Sequence, residues 1–128
     1  MLNQSGITKV NGTAPVQILF NVQNQMSVGV KIAKNFAGAV TENGRKIVKA
    51  GTPLTGDLTA RDTAFTAAGA SDAVGILLHD VDVTDTDANC SLLIWGFVNL
   101  NRIDSTTAAK INAGVKTALA GKVWFLKD

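Results

Sequence analysis

Apolar residues alternate with polar or small ones along much of this chain, with the period of a strand rather than a helix. From Met26, Val28, Val30 and Ile32 interleave with Gly29, Lys31 and Ala33, which predicts a half-buried strand. Residues 39–42 and 45–48 are β-prone runs separated by Asn43-Gly44. That pair suits a type I′ hairpin, whose central residues both need positive φ. Gly51 and Pro53 end the hairpin, and the small-residue stretch 67–72 ends a short strand expected at 62–66. Val74, Ile76 and Leu78 share one parity, whereas Val81 and Val83 share the other. A bulge or break therefore falls at His79-Asp80.

The segment after the turn at 85–89 departs from alternation. In the strand expected at 90–100, Leu92, Ile94 and Val98 occupy one parity and Leu93, Trp95 and Phe97 the other. Side chains of a strand point to alternate faces, so both faces carry large apolar groups. A small antiparallel domain normally buries one face of each sheet, so the second face needs a cover. The cover is either the chain's own helix or another copy of the protein. Asp104 or Ser105 supplies an N-cap for that helix. Ala108, Ile111, Val115 and Leu119 recur at helical spacing on one of its faces, and Gly121 sits just past its end. A last strand covers 122–126 and carries Trp124. The pattern predicts a mainly β domain, a small barrel or sandwich of about eight short strands with one helix near the C-terminus, with no repeats and no βαβ rhythm.

Residues 1–25 read differently from residues 26–128. They are rich in Asn, Gln, Gly and Thr, with one apolar island at Val16, Ile18, Leu19 and Phe20. The island belongs either to an arm that orders against a partner or to an edge strand of the main domain. The chain is thus divided into an N-terminal arm or edge segment, 1–25, and a β-rich domain, 26–128.

Charge and chemistry narrow the function. Twelve basic and ten acidic residues leave a net charge of +2, too balanced for nucleic-acid binding by bulk charge. No apolar run reaches the roughly 20 residues of a membrane helix. A protein that is soluble and made in a cytoplasm is expected. Asp80, Asp82, Asp85 and Asp87 lack the glycine and distal glutamate of a calcium loop, and they fit a solvated strand and turn. The single histidine, His79, and single cysteine, Cys90, lie about one hairpin apart. A nucleophile pair would need them in hydrogen-bond reach with a third group orienting the imidazole, and a buried cysteine on a strand is usually inert. Residues 51–56 lack the lysine of a phosphate loop. Lys31, Lys34, Arg45, Lys46 and Lys49 gather near the hairpin without interleaved aromatics, the pattern of a solvated face. No metal, no cofactor and no catalytic residue is expected. Leu93, Trp95, Phe97 and Trp124 are the candidate residues for subunit or core packing.

The succession Lys49-Ala50-Gly51-Thr52-Pro53-Leu54, then Ala73-Val74-Gly75-Ile76-Leu77-Leu78 before an acidic strand, then Ile94-Trp95-Gly96-Phe97-Val98, resembles the head decoration and head fibre proteins of tailed bacteriophages. Lambda-type head decoration proteins show a looser version of the same order. The resemblance covers about residues 46–126. It implies a non-enzymatic virion protein on the outer surface of the expanded capsid, made in the host cytoplasm. It implies a homotrimer that clamps neighbouring copies of the major capsid protein and stabilises the shell. The capsid-binding arm would then be residues 1–25, anchored by Val16, Ile18, Leu19 and Phe20. The alternative within the same resemblance is the base of a head fibre, or an adaptor, that attaches to a host surface.

Overall fold

The structure, a computed structural model, describes residues 17–20, 23–69 and 71–127. Among these residues are nine strands: β1 (Met26–Ile32), β2 (Val40–Glu42), β3 (Arg45–Val48), β4 (Pro53–Thr55), β5 (Thr66–Ala67), β6 (Gly75–Leu77), β7 (Val81–Asp82), β8 (Ala88–Asn99) and β9 (Val123–Leu126). The larger sheet has the order β1-β8-β6-β4-β5, and β9 runs parallel to the C-terminal half of β8. The smaller sheet is β2-β3-β7. The fold is mainly β, and its two sheets pack as a sandwich.

Local sequence explains the joints. Asn43 and Gly44 adopt φ of 52° and 77° in the turn between β2 and β3, the positive values that the hairpin requires. The parity change at His79-Asp80 is a strand break. Before it β6 belongs to the larger sheet, and after it β7 pairs with β3 in the smaller one. The chain therefore changes layers at the point where its apolar residues change parity.

The apolar residues of β8 divide between two cores. Leu92 joins Val30, Ile32, Leu54 and Leu77 beneath Val48, Val81 and Val83 of the second sheet and its flank. Leu93 joins Ile76, Val98 and Val123 beneath Ile103, Ile111, Val115 and Leu119. Leu92 and Leu93 are both fully buried, each worth about 1.5–3 kcal/mol by transfer from water. The chain itself thus covers both faces of the first half of β8.

Three expectations need correction. The strand expected at 62–66 is largely a turn, and β5 is confined to Thr66–Ala67. The single C-terminal helix is two short ones, α1 (Ser105–Ala108) and α2 (Ala113–Ala118). Asp104 caps the first by accepting the Thr107 N–H, and Asn112 starts the second by accepting the Val115 N–H at 3.0 Å. An Asn side chain competes for backbone donors in this way, so it begins a helix more readily than it continues one. The apolar island is also not a set of free anchors. Ile18 and Leu19 are 0% and 4% exposed within the helix-side core, and Leu19 bridges Val98. The island is the edge segment, held because the Asn99 N–H donates to the Ile18 carbonyl and the Phe20 N–H to the Phe97 carbonyl. Side chains so buried offer no surface to a capsid. Phe20 stays exposed, and Val16 lies outside the described residues.

Candidate interaction surface

A single extra residue in β8 creates the most unusual surface of the molecule. Met26 pairs with Trp95 but the next residue, Ser27, pairs with Leu93, so Ile94 is an added residue with no Cα partner on β1. Such a bulge shifts the alternation by one and re-aims the side chains beyond it. Leu93 and Val98 have opposite parity, yet both point into the helix-side core. Trp95 and Phe97 are thereby turned to the other face of the sheet, beyond the cover of β2, β3 and β7.

Neighbouring segments extend this face in register. On β9, Val123 and Phe125 pack toward the helix-side core, so Trp124 and Leu126 project the opposite way. On β1, Val28, Val30 and Ile32 pack between the sheets, which places Met26 on the same face as Trp95. Leu19 bridges Val98 and packs with it into the helix-side core, so the next residue, Phe20, projects the opposite way and is exposed. Six large apolar side chains are exposed among the described residues, and all but Leu58 lie on this face: Phe20 47%, Met26 58%, Trp95 40%, Trp124 38% and Leu126 37%.

Three rings form the centre. Trp124 and Phe97 stack with centroids 5.1 Å apart and planes 19° from parallel. Trp95 meets both edge-on at 6.0 Å, with interplanar angles of 76° and 86°. Offset and edge-to-face contacts are the favoured aromatic geometries, so the rings form a rigid platform at little further entropic cost. Partly exposed side chains of this size leave about 500 Å² of apolar surface in water. Patches of that size mark interaction sites more often than scattered single residues do.

The sequence nominees divide accordingly. Leu93 is core, whereas Trp95, Phe97 and Trp124 come together at the surface. Met26 and Leu126 were not singled out by sequence. Their signal was parity alone, since each is in step with a residue whose facing depends on the bulge.

The titratable groups are engaged elsewhere. Arg45 donates to Asp82 at 2.8 Å and Asp85 at 3.2 Å, and Lys49 bridges Glu42 and Asp80 at 3.1 and 3.3 Å. Asp80 also accepts the Ala50 N–H, and Asp87 accepts the Lys34 N–H. The Arg45 guanidinium, helped by donors from Thr84, holds the Asp82 carboxyl down at about 2. The acidic series thus ties the hairpin β2–β3 to β7 and the turn after it. Cys90 lies half-buried with Sγ 3.7 Å from the Val30 carbonyl, and burial pushes its thiol up to about 11. A thiol shifted in that direction is a poor nucleophile. His79 is exposed at the strand break. Among the described residues no three His, Cys, Asp or Glu side chains gather as a metal site.

The chain matches no protein-family model, and no curated protein is recognisably similar to it. Its surface chemistry therefore bears the functional reading.

Proposed function

We propose that this chain is a structural protein of the outer surface of a tailed-phage head. It binds the expanded capsid as a homotrimer and stabilises it against expansion stress and disassembly. The observation that carries the reading is the aromatic platform of Trp95, Phe97 and Trp124, an adhesive surface exposed to solvent. The resemblance supplies the setting. Its three segments fall on adjacent strands, β4, β6 and β8, and so belong to one packed unit rather than to scattered loops. Several weak contacts joined in a trimer give high avidity, and a ligand restricted to the expanded shell stabilises that state by mass action.

Because Ile18 and Leu19 are core residues, attachment to the major capsid protein is assigned to residues 1–16. Co-sedimentation with expanded and unexpanded heads tests this. The full chain should pellet with expanded heads only, and a chain starting at Gln17 should stay folded and remain in the supernatant. Full binding by the shortened chain would remove the arm assignment. Failure of the full chain to bind any expanded head would remove the reading itself.

A further inference from the structure

We infer that copies of this chain associate head to tail, with the Leu58 loop of one copy seated on the aromatic face of the next. The exposed large apolar side chains among the described residues occur in just two places, the aromatic face and Leu58. Leu58 is presented on a stiff loop. The Thr59 N–H and hydroxyl both donate to Asp57 Oδ1, at 2.8 and 2.6 Å, and the Ala60 N–H donates to the Asp57 carbonyl. The Thr63 N–H then bonds the Ala60 carbonyl, and Arg61 Nη1 donates to the Gly29 carbonyl at 3.1 Å. A loop already fixed loses little freedom on docking, which favours a specific contact.

Charge complements shape. Leu58 is flanked by Asp57 and Asp62, and Lys122 and Lys127 bracket β9 beside Trp124 and Leu126. None of these four charges forms an ion pair among the described residues, whereas Arg45 and Lys49 are already paired. A loop with an apolar tip and, with Arg61 counted, a net charge of −1 therefore fits an aromatic face with a basic border. A symmetric contact of two aromatic faces would instead bring the lysines of one copy toward those of the other, which is unfavourable. The aromatic face supplies about 500 Å² of apolar surface, close to the apolar share of one side of a standard interface of about 800 Å² per partner, and Leu58 is the single large apolar anchor set against it. A contact between two different surfaces closes into a ring or continues as a filament. The copy number at closure rests on the trimer reading above; the head-to-tail contact does not.

The test uses the purified full chain in sedimentation velocity, with no heads present. The wild type should assemble, and Leu58→Glu and Trp124→Glu should each weaken assembly by about tenfold or more. Circular dichroism confirms that each variant is folded, and Lys122→Glu serves as a second face variant. An equimolar mixture of Leu58→Glu and Trp124→Glu keeps one compatible pair of surfaces and should give a one-to-one dimer. Asp62→Lys should weaken assembly, and adding Lys122→Asp should restore it. A monomeric wild type at high concentration would overturn the inference, as would assembly of Leu58→Glu at wild-type strength or a mixture that stays monomeric. A monomeric wild type would remove the trimer as well, whereas the variant and mixture outcomes bear on this contact alone; head binding is read separately by co-sedimentation.

Discussion

At Gly75 there is no room for a side chain: an added Cβ would sit 2.6 Å from both the Leu93 carbonyl oxygen and Leu92 Cγ. Backbone cannot yield as a flexible side chain does, so Gly75→Ala should cost about 1–3 kcal/mol in urea unfolding. Gly29, where nothing lies within 4 Å, is the control and should change stability little on the same substitution. Gly51 combines both constraints, with φ +99° and Ile103 Cγ2 2.7 Å from an added Cβ. Gly51 and Gly75 therefore serve close packing. Cys90 gives a second prediction at this scale. With its thiol moved from 9.0 to about 11, its thiolate fraction at neutral pH falls about 100-fold. Alkylation by iodoacetamide should be slower than for an unfolded control by about that factor, and an equal rate would contradict the burial.

The hairpin β2–β3 is held to β7 by charge as well as by its backbone ladder. The Asp82 carboxyl lies at about 2 in the folded chain against an ordinary 3.8. Its contribution is thus present above about pH 4 and is lost as pH falls through about 2. Asp82→Asn should speed hydrogen exchange of β3 and β7 amides at pH 6, and the difference from wild type should vanish near pH 2. The edge segment 17–20 makes a sharper claim. Deletion of residues 1–16 keeps every described core residue, but deletion of residues 1–25 also removes Ile18 and Leu19. The second deletion should cost several kcal/mol, on the order of two buried large side chains, and lower the melting temperature markedly. Elements with a local signal were legible in the sequence: the Asn43-Gly44 turn, the break at His79-Asp80 and the closing strand at Val123. The division of the helix at Asn112 was not, because capping and helical spacing compete there within a few residues. For Ile18 and Leu19 the sequence left arm and edge strand open, because the choice depends on a partner strand about 80 residues away.

At the scale of the whole molecule, sequence identified an excess of apolar surface on β8 but not where it would emerge. Leu92 and Leu93 are absorbed by the two cores, and the excess appears only past the bulge, where a register shift between distant strands decides facing. Both tryptophans of the chain sit on that outlet, which makes assembly visible without a label. Trp emission should shift to the blue as concentration rises through the assembly range, and Leu58→Glu should remove the shift. Assembly detected by sedimentation with no change in emission would place the contact elsewhere.

The added residue Ile94 has a wider consequence. β8 is, in effect, one strand with two reading frames: up to Leu93 its alternation fills the two cores, and past Ile94 the same alternation sets aromatic rings on the open surface. Were Ile94 instead paired in ordinary register, with no residue bulged out, Trp95 and Phe97 would turn toward the two short helices and Val98 would turn away from them. Cohesion within the molecule and cohesion between molecules would then trade places, although composition and strand number stayed almost the same.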